Sequence, residues 1–136
     1  MARISSAAYV TAVLNFLQAY NAGDMNACEQ LLDPHSVWHS GGIYHGPREI
    51  RAMLEVFRKR FSTPRVRPDD FRAAGDHVLM VVCFTDGDPE APRVAERQSW
   101  LCEMTEDGLI ASVATYSRPA DAARALDAAR TLKVHA

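Results

Sequence analysis

The sequence predicts one α+β domain, helices first and strands after, and three observations carry that prediction. Up to Phe61 apolar residues recur mostly at helical spacing, interrupted by one short hairpin. From Val66 to Ser117 they recur instead in strand-length runs punctuated by Gly, Pro and Asp, and no repeat, low-complexity tract or linker divides the 136 residues. That length, with 48% hydrophobic and 24% charged residues, suits a single core. The whole chain, 1–136, therefore reads as one domain with its core over about 7–117 and a C-terminal helical tail over about 119–134.

The first helix starts after Ser5 or Ser6, either of which can cap it, and runs to about Tyr20. Val10, Leu14 and Leu17 form one apolar stripe and Tyr9, Val13, Phe16 and Tyr20 another, so this helix needs cover on two sides. Gly23 can take the left-handed conformation that stops it, and Asp24 can cap a short helix over Met25–Leu32. Ser36–Ser40 reads as a strand, Gly41 and Gly42 as a turn, and Ile43–His45 as the return.

Pro47 has a fixed φ and no amide hydrogen to waste, which suits the first turn of a third helix ending near Phe61. Ile50, Met53, Leu54, Phe57 and Phe61 share its apolar side, while Arg48, Arg51, Glu55, Arg58 and Lys59 fill the other, as in a helix lying on a sheet. Val66–Ala74, His77–Thr85, Val94–Met104 and Leu109–Ser117 read as strands whose short connections imply an antiparallel meander. From Pro119 the Ala-rich tail favours helix, but its packing stripe of Leu126, Ala129 and Leu132 is thin, so it either docks or frays.

Several function classes fall away on composition. A net charge of -2 and 15 scattered Lys and Arg residues give no cationic surface for nucleic acid. No apolar run approaches the ~20 residues that span a bilayer, and the opening MARISSAAYV lacks the pattern of a signal peptide; the expectation is a cytoplasmic protein without a membrane partner. Cys28, Cys83 and Cys102 are odd in number and far apart, as reduced buried thiols would be. The five histidines show no metal-ligand spacing, and there is no Gly-rich phosphate loop or nucleophile elbow, so neither metal nor cofactor is expected.

More specific information lies in the order of short motifs. Tyr20-Asn21-Ala22-Gly23-Asp24 ends the first helix; Leu31-Leu32-Asp33-Pro34-His35-Ser36-Val37-Trp38 follows; Gly46 precedes the third helix; and Asp107-Gly108-Leu109-Ile110 opens the last strand. Taken together over about residues 7–117, these resemble the NTF2-like superfamily in its SnoaL-like and ketosteroid-isomerase-like branch. The resemblance implies a cone: a strongly bent antiparallel sheet wrapped over three N-terminal helices, enclosing a pocket for a small hydrophobic molecule, with homodimers formed through the outer face of the sheet. It also implies chemistry. The isomerases use a first-helix tyrosine, an aspartate base and a protonated strand aspartate, and those positions fall here at Phe16, at Ser40 and at or beside Gln98. A phenylalanine cannot polarise a carbonyl, and a serine without a base cannot take a carbon-bound proton, so steroid isomerisation by that route is disfavoured.

Strand alternation selects candidates independently. Between Val94 and Met104 the even positions are Val94, Glu96, Gln98, Trp100, Cys102 and Met104, an apolar face with two polar residues set into it. Glu96 is the one carboxylate on that face. Burial beside Trp100 and Phe84 would suit it to act as general acid or base; otherwise it is solvated at a frayed strand end or pairs with Arg93 or Arg97. His39 has the chemistry for proton transfer and sits where the branch commonly places a reactive group, but if Trp38 and Ser40 face inward it faces out. Between His77 and Thr85 both faces are apolar, and it is the resemblance that assigns Met80, Val82 and Phe84 to the pocket. Phe16, Trp38, Phe57, Trp100 and Tyr116 could be its aromatic wall, although aromatic residues at such spacing are more often plain core. Tyr20, Tyr116, Gln98 and Ser40 could orient ligand oxygens. The resulting expectation is a cofactor-independent isomerase or cyclase, or a related lyase or hydrolase, acting through Glu96 and His39 on a small hydrophobic oxygenated molecule; the alternative is a non-catalytic binding or dimeric association module of the same fold.

Overall fold

The computed structural model describes residues 5–135, with side chains through residue 130. The elements follow the order α1 (Ser6–Ala22), α2 (Met25–Gln30), β1 (Leu32–His39), β2 (Ile43–His45), α3 (Gly46–Arg58), β3 (Arg65–Ala74), β4 (His77–Asp86), β5 (Arg93–Met104), β6 (Ile110–Tyr116) and α4 (Pro119–His135). The caps are those the sequence implies. Ser5 accepts a hydrogen bond from the Ala8 amide, Asp24 accepts one from the Ala27 amide, and Gly23 closes α1 at φ 72°. A side chain at Gly23 would be strained by that φ.

Six strands form one sheet in the order β2-β1-β6-β5-β4-β3. From β3 to β6 it is the expected antiparallel meander. The sheet is not antiparallel throughout, because β1 pairs parallel to β6. That pairing also explains why β1 starts at Leu32 rather than Ser36: the Ile110 amide donates to the Leu31 carbonyl, and Leu32 pairs with Ile110. The register shifts between Leu32 and Val37, and Pro34, which has no amide hydrogen for a ladder, is accommodated there. α2 correspondingly ends at Gln30, and α3 ends at Arg58, short of Phe61.

The three N-terminal helices and the inner face of the sheet share one core. Its β5 members are Trp100, Cys102 and Met104, and its β4 members Val78, Met80, Val82 and Phe84, the alternate residues of each strand. Leu101 and Cys83, on the other parity, are also buried but lie outside that core. They face outward. α4 packs against β4, β5 and β6 with Ala122 and Leu126 fully buried and likewise outside the inner core, so the tail docks on the outer face. The stripe is Ala122 and Leu126, with Ala129 half-buried; Leu132 lies outside the described side chains. Part of the face that the resemblance reserves for a dimer contact is thus covered by the chain's own helix. No helix among the described residues is long and apolar enough to cross a membrane.

Candidate functional site

Most of the side chains expected to line a pocket meet one another on the inner face. Trp38 and Trp100 touch edge to face with centroids 4.9 Å apart, and Phe16 lies 5.9 Å from Trp38 and 6.3 Å from Trp100. Met80 and Val82 are fully buried alongside. Phe84 contacts Phe57 at 4.8 Å and Tyr20 at 6.0 Å. Apart from half-buried Phe57 these rings pack as core, most of the pairs in the edge-on geometry aromatic rings favour.

Towards one end of β5 the same face becomes polar. β6 stops pairing at Tyr116, opposite Ser99, whereas β5 continues beside β4 with Gln98 opposite Val82 and Glu96 opposite Phe84. Gln98 and Glu96 are half-buried there. The indole Nε1 of Trp100 donates to the Gln98 carbonyl oxygen at 3.0 Å, and the Gln98 amide nitrogen donates to Glu96 Oε2. Because an indole N–H can only donate, it fixes which end of the Gln98 amide faces it and therefore turns the NH2 towards the carboxylate. A chain of donors thus runs from the aromatic core to a carboxylate at the rim. Neither Arg93 nor Arg97 pairs with Glu96; Arg97 instead meets Asp69 at 3.3 Å, on the other face of the strand. Glu96 is left with one held oxygen and one open to accept a proton or a hydrogen bond.

Two expected site residues stand elsewhere. His39 is exposed and pairs with Ala114, on the outward parity of β1, while its neighbour Trp38 is inward. Tyr116 pairs with Ser99 and so also faces outward, away from Trp100. The cause is a register shift between Glu103 and Met104: counted by twos from buried Ile110, Tyr116 would be inward, but the extra residue in β6 makes Val113 the inward partner of Cys102 and reverses the parity beyond it. Ser40 is half-buried at the turn after Trp38, its amide donating to the Gly42 carbonyl.

Three residues belong to this region without having been singled out as site residues. Thr115 lies opposite Trp100 and Tyr44 opposite Trp38. Arg58 had its place on the charged side of α3, yet its guanidinium sits 5.0 Å from the centre of the Tyr20 ring. The available signal was its spacing: Arg58 follows Leu54 by one helical turn and adjoins Phe57. Tyr20 is only 2% exposed, and burial pushes its phenol up to about 12 despite the opposing pull of Arg58. It is a hydrogen-bond donor at neutral pH.

An open cleft of about 340 Å³, lined in part by Asn21, Arg65, Thr85 and Asp86, shares no residue with this chain of donors. Its principal polar groups serve the fold. The Asn21 amide holds both backbone groups of Val66, at 2.7 and 2.8 Å, and Asp86 accepts from the amides of Thr63 and Ser62, which hold its carboxyl below the usual range. Among the described residues no cluster of His, Cys, Asp and Glu is arranged for a metal. Burial raises the Cys28 and Cys102 thiols to about 11 and about 12, far from a reactive thiolate.

Comparison with known proteins bears on the family. Similar solved structures include a candidate polyketide cyclase from Sinorhizobium meliloti, at 19% identity over 83% of this chain and 100% of that one, with a TM-score of 0.67. A candidate isomerase of the SnoaL-like family from Agrobacterium tumefaciens matches at 15% identity over 82% and 98% of the two chains, with a TM-score of 0.69. A protein with a ketosteroid isomerase-like fold from Catenulispora acidiphila, in complex with trimethylamine, matches at 18% identity over 77% and 83%, with a TM-score of 0.65. At such identities the likeness is one of fold. No curated protein matches the chain. The SnoaL-like domain family matches residues 13–113, most of the chain, and the protein therefore belongs to that family and has its NTF2-like cone.

Proposed function

We propose that the protein is a cofactor-independent enzyme of isomerase or cyclase type, or a related lyase or hydrolase, that moves a proton with Glu96 on a small hydrophobic, oxygenated molecule held at the rim of the cone. The observation that carries this reading is the Trp100–Gln98–Glu96 chain. It holds a carboxylate with no cationic partner among the described residues at the polar end of an inner face whose deeper part is apolar, opposite the buried Phe84, which half-buried Phe57 touches. A general acid or base needs such fixed orientation and an unblocked oxygen. Gln98 supplies the first, and the lack of an ion pair supplies the second. Two structural relatives, a candidate polyketide cyclase and a candidate isomerase, agree with the reaction class without specifying it.

Glu96→Gln is the direct test. It keeps shape and hydrogen bonding but removes proton transfer, so turnover of whichever ketone or polyketide-like substrate the wild type converts should fall by ~10²- to 10⁴-fold with affinity largely kept. Unchanged turnover would remove Glu96 from the mechanism.

A non-catalytic binding module is favoured by one observation: where the isomerases carry tyrosine and aspartate, this chain has Phe16, packed among tryptophans, and Ser40. On that reading ligands bind at the rim without turnover, and Glu96→Gln changes neither binding nor stability.

A further inference from the structure

Two buried donors near the rim have no partner. The Tyr20 hydroxyl and the Arg58 Nε are both out of contact with solvent and form no hydrogen bond among the described residues. Such groups are rare, because a buried donor that loses water without gaining an acceptor costs free energy. Nor does Arg58 meet a carboxylate. Its guanidinium lies over the Tyr20 ring, 5.0 Å from the ring centre. Stacking on a ring face satisfies part of the charge but gives the N–H groups no acceptor.

The position connects this pair to Glu96. Tyr20 comes from the end of α1 and Arg58 from the end of α3. Phe84, the cross-strand partner of Glu96, contacts the ring of Tyr20 and that of Phe57, the residue beside Arg58. One phenylalanine thus stands opposite the carboxylate in the sheet and touches the ring of Tyr20, one of the two donors. We infer that Arg58 and Tyr20 form an anion-recognition pair, which takes the carboxylate or enolate oxygen of an apolar ligand whose hydrocarbon body lies against Phe57 and Phe84. This rests on reading the rim as a ligand site, though not on the proton-transfer step. The phenol stays protonated well above neutral pH, so it donates to the anion rather than repelling it. A planar guanidinium matches a carboxylate, and an aromatic or enolic acid would place its reactive carbon near Phe84, on the Glu96 side.

Calorimetric titration with cinnamate and with its neutral isostere cinnamamide separates charge recognition from plain apolar binding. The wild type should bind cinnamate about tenfold or more tightly than cinnamamide, with a preference that shrinks as salt is added. Arg58→Gln should abolish the preference, and Tyr20→Phe should reduce it several-fold. Equal affinity for the two probes, no binding of cinnamate, or a preference that survives Arg58→Gln would overturn the inference. Tyr20→Phe keeps the test decisive if Arg58→Gln fails to fold, since it only deletes an unpartnered hydroxyl: a more stable variant with unchanged discrimination would also overturn it. Glu96→Gln tells the two readings apart. Loss of turnover there together with no cinnamate preference in the wild type would discard the anion pair and keep the proton carrier; an intact, Arg58-dependent preference with unchanged turnover would do the reverse.

Discussion

The two ends of β5 use one alternation for opposite purposes. From Trp100 to Met104 the strand is paired on both sides and roofed by helix, and Trp100, Cys102 and Met104 are almost wholly buried. From Arg93 to Gln98 it has only β4 beside it, because β6 ends at Tyr116, and the same inner face carries Gln98 and Glu96 half in solvent. The difference lies in the neighbouring strand rather than in β5 itself. Where a sheet loses a strand, polar side chains on the inner face can reach water, and a carboxylate can remain charged without losing contact with the core. Core and candidate site are in this sense one surface, divided by the length of β6.

The sharpest way to break that comparison is to cut into the closed end. Trp100→Ala should cost ~3–5 kcal/mol in urea unfolding, since it opens a cavity among Phe16, Trp38 and Phe84. A loss under ~1 kcal/mol would mean that the rings are not packed as core.

Alkaline pH probes the buried interior more gently. Cys102, Cys28 and Tyr20 have folded pKa values raised by burial above their ordinary 9.0, 9.0 and 10.0, so between those values and about 11 to 12 the unfolded chain releases protons that the folded chain retains. Their contribution is fully present below pH ~9 and is lost as pH rises through the folded values. Unfolding free energy should therefore fall by several kcal/mol between pH ~8 and pH ~11, and Tyr20→Phe should lessen the fall. A flat profile over that range would contradict the burial of these groups.

At the open end the stability effects should be small. Gln98→Leu removes the link between Trp100 and Glu96, and we expect about 1 kcal/mol or less in stability but roughly tenfold in turnover, because the carboxylate is no longer held. Smallest of all, His39→Gln and Tyr116→Phe should each stay within ~0.5 kcal/mol and leave turnover unchanged, since both side chains face outward. A large rate loss in either would mean that the outer face takes part in function.

The sequence by itself determined the elements, their caps, most of the buried aromatic set and the shared face of Glu96, Gln98 and Trp100, because these rest on short-range periodicity and on local turn chemistry. His39 had both orientations open, and only the tertiary structure decided for the outward one. Three other matters also needed the tertiary structure. Tyr116 turned outward through a register shift that no local pattern marks. α4 chose the outer face, though its own stripe says only that it must dock somewhere. Arg58 came to lie over Tyr20 because two helix ends far apart in the chain converge. Each of these depends on which distant segments meet and where a pairing stops, and the alternation within any one strand or helix is the same whichever neighbour it finally meets.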